Sequence, residues 1–217
     1  MRLLSKVVLA VGVAAFVGGP LWAQGFRGGG FGGAMLLQNQ SVQKELKLTD
    51  DQKKKLATIN KEFREKHKDD YAKLFNQDTD PKERGELSDK LNHEQMELVK
   101  PVLTDDQHKR FHQIQLQVRG AGAFSDPKVQ KALKLTDDQK DKIKTIEDDA
   151  RQEMRDIFQN AAGDREAAGK KFASLRKETM EKASNVLTDE QKKTWKDMTG
   201  KPFEIKMEPP RGRRPNG

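Results

Sequence analysis

The apolar residues of this chain fall into narrow stripes at helical spacing, set among long charged faces. Leu56, Ile59, Phe63, His67 and Tyr71 recur every three or four residues, and Ile143, Ile146, Ala150, Met154 and Phe158 do the same further on. This is the period of helices that bury one face. Leu91, Met96 and Val99, then Leu175, Met180 and Ala183, mark a second long helix in each half, and Phe111 with Ile114 or Trp195 with Met198 mark a short closing one. Loops precede the second long helices at Asp78 to Pro81 and Ala161 to Asp164. The body has no alternation of period two, so the pattern predicts an all-α fold. Met96 and Met180 read as adaptable fillers of its cores.

The pattern is duplicated. Val42 to Lys53 returns as Val129 to Lys140 at an offset of 87 residues, and only Glu45 is changed, to Ala132. Val102 to Gln107 returns as Val186 to Gln191 at an offset of 84, and the missing residues fall in the loop region 76–82 of the first copy. The expected organisation is a leader over 1–23, a flexible glycine-rich spacer over 24–40, repeat one over 41–119, a linker over 120–127, repeat two over 128–200 and a disordered basic tail over 201–217. Each repeat reads as a short helix, two long antiparallel helices and a short closing helix. Because the apolar stripes are too narrow to be buried within one copy, the two copies are expected to pack together.

Four Leu-Thr-x-x-Gln blocks start helices: Leu48, Thr49 and Gln52; Leu103, Thr104 and Gln107; Leu135, Thr136 and Gln139; Leu187, Thr188 and Gln191. The Thr hydroxyl accepts from the third helical N–H, and the Gln at that position reaches back to the Thr N–H. The two acidic residues between them sit at the positive end of the helix dipole. A hydrophobic staple would need an apolar residue after each Gln, where the chain has Lys53, His108, Lys140 and Lys192, so the four leucines are expected to pack against neighbouring helices.

Charge and the chain ends bear on location. Charged residues make up 35% of the chain, well above the roughly 25% of an average domain, which implies thin cores and much solvated surface. The net charge is +8, and most of it lies in the leader and the tail. Arg2 and Lys6, the apolar run Val7 to Gly19 and the small residue Ala23 read as an export signal, cleaved or retained as an anchor, which sends the body to the periplasm, where ATP is absent. That location weighs against nucleic acid as the partner of the basic tail. The tail's alternatives are a solubilising end or a contact for an acidic partner or anionic lipid.

The residues needed for catalysis do not converge. There is no Cys, and no Gly-x-Ser-x-Gly occurs. His93 to Glu97 approaches the helical zinc-protease motif but carries Glu97 where the second His belongs. Asp78 to Lys82 starts like a calcium loop and then places Lys82 at a ligand position and Glu83 at the required Gly. The chain therefore reads as a non-enzyme without a cofactor. His108 and His112 are the candidate divalent-metal ligands, four apart on one helix face, and the competing reading is a pair of exposed histidines flanking Phe111. All four histidines lie in the first copy, matched in the second by Met154, Lys177, Lys192 and Lys196.

Paired LTxxQ blocks about fifty residues apart, in an exported, helical, cysteine-free and charge-rich chain, resemble the Spy/CpxP family of envelope-stress proteins. The resemblance covers about Val42 to Gly200. It implies an all-helical, elongated cradle that binds unfolding envelope proteins without ATP, here as a covalent pseudo-dimer of two tandem four-helix repeats, alone or further associated. The alternative that the family suggests is a metal-responsive sensor or modulator of envelope-stress signalling that works through a membrane sensor protein. The glycine spacer and basic tail lie outside the family pattern.

Overall fold

A computed structural model describes residues 33–76, 78–160 and 164–206. The expected export signal, most of the expected glycine spacer and residues 207–217 of the tail lie outside the described residues. The described chain is all-α and contains no strand. The first half holds α1 (Gln40–Glu45), α2 (Asp50–Lys66), α3 (Lys68–Phe75), α4 (Pro81–Val99) and α5 (Asp105–Arg119). The second half holds α6 (Pro127–Leu133), α7 (Asp137–Gln159), α8 (Arg165–Val186) and α9 (Asp189–Thr199). None of these helices is long and apolar enough to cross a membrane.

Local chemistry sets the helix starts. Complete capping boxes open α2, α5, α7 and α9 at Thr49, Thr104, Thr136 and Thr188. Asn39, Asp80, Asp126 and Asp164 cap α1, α4, α6 and α8 by accepting from backbone N–H groups of the first turn. After α1 and α6 the chain reverses through Lys47 and Lys134, both at φ 51°. The N–H of Leu48 then donates to Gln43 O, and that of Leu135 to Gln130 O, each at 3.0 Å. These are Schellman turns with Lys in the left-handed place that usually favours Gly. They carry Leu48 and Leu135 into the core ahead of the next cap.

Two apolar clusters form, one per copy, and each borrows from the other half. Leu48, Leu56, Leu103, Phe111 and Ile114 belong to the first, which Ile205 joins from the far end of the chain. Leu135, Ile143, Ala183 and Leu187 belong to the second, which Leu116 joins from α5. Met96 and Met180 pack against the first and second cluster respectively. All four motif leucines are buried in these clusters, which answers the question raised by the missing staples.

Three expected boundaries need correction. The spacer ends in structure, because Gly33–Gln38 is a 3-10 helix that buries Ala34, Leu36 and Leu37 in the first core. The linker is likewise a 3-10 helix, Gly120–Ser125, and buries Ala121, Ala123 and Phe124 in the second. These segments correspond at the same offset of 87, so each repeat begins eight residues earlier than its hydrophilic helices suggest. Gly33 and Gly120 both have positive φ, and a side chain at Gly33 would run into the Asn92 carboxamide. The tail is ordered over 201–206. Gln117 Nε2 donates to Thr199 O and Lys201 O while its Oε1 accepts from the Phe203 N–H, and the Lys206 N–H donates to Ser41 Oγ. Apolar side chains at Phe203 and Ile205 hold the strap down, which the charged composition around them conceals.

The first long helix of copy one is also not continuous. It breaks at His67, which is only 8% exposed, stacks on Phe63 with ring centroids 4.3 Å apart and turns toward Asp70 and Glu94. Nδ1 lies 3.0 Å from Asp70 Oδ2, and that hydrogen bond holds the Asp70 carboxyl below the usual carboxylate range. Nε2 lies 3.2 Å from Glu94 Oε2 but out of line for a hydrogen bond. With Met154 at the matching place, α7 runs unbroken.

Thr49→Ala and Thr136→Ala should each cost about 1 kcal/mol by removing a cap, read as a lowered urea midpoint. Asp126 supplies a pH test. Burial raises its pKa, but the hydrogen bond from Arg119, the Lys128 N–H and the charges of both residues outweigh this and leave it lowered. A carboxyl depressed in the folded state stabilises above its unfolded pKa, and the contribution disappears as pH falls through the folded value, below about pH 4. Asp126→Asn, which reproduces the uncharged cap Asn39 of copy one, should flatten that acid limb in urea midpoints measured from pH 6 to 2.

Candidate functional site

The Gln residues of the four motifs do more than close capping boxes. Gln52 Nε2 donates to Gln107 Oε1 at 2.8 Å, and Gln107 Nε2 donates back to Gln52 Oε1 at 3.1 Å. The second N–H of each reaches the chain entering the other motif, at Val102 O (2.8 Å) and Leu46 O (3.1 Å). Each Oε1 also accepts from its own Thr N–H. Both donors and both acceptor sites of each amide are thereby used. Copy two repeats the arrangement between Gln139 and Gln191, with Val186 O and Leu133 O as the backbone partners. The two motifs of a copy are therefore brought together, although they lie about fifty residues apart in sequence. Spacing along the chain could not show this, and the signal available was the use of Gln, never Glu, at all four positions.

The histidine pair is placed differently. His108 Nε2 donates to Lys100 O at 2.6 Å and so serves the turn ahead of its own helix. His112 is exposed. Desolvation of its ring lowers its pKa, opposed by Asp126 and reinforced by Lys128 and Arg119. Both line a shallow depression with Met96, Phe111, Met198 and Asp197 of α9. Among the described residues no group of three or more His, Asp or Glu is placed to hold a metal ion. His93 is exposed on α4.

The feature that the sequence reading missed is a cavity of about 250 Å³ in copy two. It lies between α7, α8, the turn at Gly120 and the strap, and its walls include Ala150, Met154, Phe172, Leu175 and Phe203. Glu147 lines it and is 6% exposed. Its Oε2 accepts from Ser125 Oγ at 2.7 Å and lies 3.3 Å from Arg151 Nη2, while Oε1 has no hydrogen-bond partner. Arg176 sits beside Gly120 and donates to Gln117 O and Val118 O, and its burial lowers its pKa. In copy one the matching place is filled: Phe63 is 2% exposed, and Gln95 Nε2 donates to Asn60 Oδ1 at 3.1 Å. The signal in the sequence was the change of Phe63 to Ala150 and of Gln95 to Thr179, legible once the two copies are laid over one another.

No family model, curated protein or solved structure matches the chain.

Gln52→Glu tests the paired amides. Glu serves a capping box as well as Gln does, but a carboxylate donates nothing to Val102 O or Gln107 Oε1. The substitution should cost about 2 kcal/mol, more than Thr49→Ala, by urea unfolding at pH 7. A cost no greater than that of the Thr variant would show that Gln52 acts as a cap alone.

Proposed function

We propose that this protein is an exported, ATP-independent chaperone-like protein of the envelope, which acts by capturing unfolding proteins rather than by catalysis. The observation that carries the reading is apolar surface held on a highly charged frame. Phe75 is 62% exposed at the end of α3, and Phe158, 41% exposed near the end of α7, stands over Phe172 with ring centroids 4.5 Å apart. Leu98 and Met35 are exposed as well. Long-range attraction by Lys and Arg brings an acidic client in, and short-range apolar contact retains it. The tandem copies stand in for the two chains of the cradle-shaped dimer that the Spy/CpxP resemblance implies.

The test is suppression of aggregation of an acidic, denaturing client by the purified mature chain, with and without a chelator. Suppression should occur near equimolar chain and persist with chelator. Association should slow as salt rises past about 0.15 M, where the screening length is about 8 Å, and retention should respond less. Phe75→Ser with Phe158→Ser should weaken retention severalfold. If the chain leaves aggregation untouched at several-fold excess, while a divalent ion binds tightly and His108→Ala abolishes that binding, the metal-responsive reading replaces this one.

A further inference from the structure

We infer that the cavity of copy two binds one aromatic group bearing a neutral N–H donor. The inference rests on the proposed function in one respect, that this group is a tryptophan side chain of the captured client. Copy one shows what the space is shaped for. There Phe63 supplies a ring, and the Gln95 amide supplies an N–H to Asn60 Oδ1. Copy two has Ala150 in place of the ring and Thr179 in place of the amide, and Glu147 in place of the acceptor. The Thr179 hydroxyl donates to Leu175 O of its own helix at 2.7 Å and gives nothing to Glu147. Glu147 Oε1 is left buried without a donor. At these three positions copy two lacks the ring and the N–H of copy one. Phe172 and Arg176, which stand where copy one has Ser88 and Asn92, line the space, and neither gives Glu147 Oε1 a donor.

Size and charge narrow the occupant. A cavity of about 150 Å³ holds benzene. The 250 Å³ here accommodates the second ring of an indole. Arg119, Arg151 and Arg176 line the space against Glu147 and Glu204, and the remaining excess of positive charge disfavours a cationic head and favours a neutral donor. An aromatic body with one polar edge is the chemistry of the anchors that dominate protein interfaces.

The experiment uses indole and 1-methylindole, which share a shape but differ in the N–H, titrated into the mature chain and followed by backbone amide NMR shifts at Ala150, Met154 and Thr179. Indole should give saturable shifts, and 1-methylindole should bind about tenfold more weakly, the value of one buried hydrogen bond. Ala150→Phe with Thr179→Gln gives copy two the ring and amide of copy one and should abolish indole binding while helical circular dichroism is kept. Ala150→Phe alone serves if the double variant does not fold. Equal binding of the two probes, or unchanged indole binding in the filled variant, would overturn the site. For the client, capture of a tryptophan-bearing unfolded peptide should fall severalfold in the filled variant, and that of the same peptide with Leu for Trp should not. Loss of indole binding with capture unchanged would overturn the client assignment and leave the proposed function standing. Failure of the wild-type chain to capture any peptide would instead defeat the proposed function, and indole binding would then mark a site for a free small aromatic.

Discussion

The paired glutamine amides hold each copy of this protein together. A copy has thin apolar stripes and two helix starts about fifty residues apart, and something must set how those starts meet. The reciprocal bonds between Gln52 and Gln107, and between Gln139 and Gln191, do so with every donor and acceptor of the four amides used. Each amide also ties down a backbone carbonyl of the chain entering the opposite motif. Leaving such partly buried groups unpaired is costly, so the geometry is selected against alternatives as well as favoured in itself. With the helix starts clasped, the four motif leucines are turned into the two cores, and the long helices leave the clasp in a set direction.

Beyond the clasp, the copies diverge in how they fill the space between their long helices. Copy one uses Phe63, His67 and the Asn60–Gln95 hydrogen bond, and accepts a broken helix at His67. Copy two keeps a continuous α7, shrinks Phe63 to Ala150 and introduces Glu147 and Arg176 where copy one has Asn60 and Asn92. The guanidinium of Arg176 then satisfies carbonyls at the end of α5, so the junction between the copies and the wall of the cavity share a residue. The two copies thus share the clasp and differ in how the space between their long helices is filled.

The copies are joined by more than chain continuity. Leu116 enters the second core and Ile205 the first, and the strap 201–206 crosses back to bond with Asn39 and Ser41 at the start of copy one. Arg110 connects the strap and α1, with Lys201 O at 2.9 Å and Glu45 Oε1 at 2.7 Å. Each small core by itself has little apolar area to bury, and these exchanges enlarge both.

The local features were legible in the sequence because their causes are local. Helical period follows from Leu56, Ile59 and Phe63, caps follow from Thr and Gln three residues apart, and the duplication follows from near-identity at fixed offset. The ends of the repeats were not, since Gly33–Gln38 and residues 201–206 look like a glycine run and a basic tail until distant partners bury their few apolar side chains. The histidines at 108 and 112 have the spacing of ligands, yet the carbonyl that engages His108 lies in a turn whose approach only the folded chain decides. The cavity was legible only in part: the change of Phe63 to Ala150 shows in the overlaid copies, but whether a hole results depends on residues from α5, α7, α8 and the strap at once. Short-range hydrogen bonding and periodic burial were written in the sequence by itself. Which amides meet, which acceptor is left without a donor and which gap is left open depended on contacts between segments tens of residues apart, and those the tertiary structure alone decided.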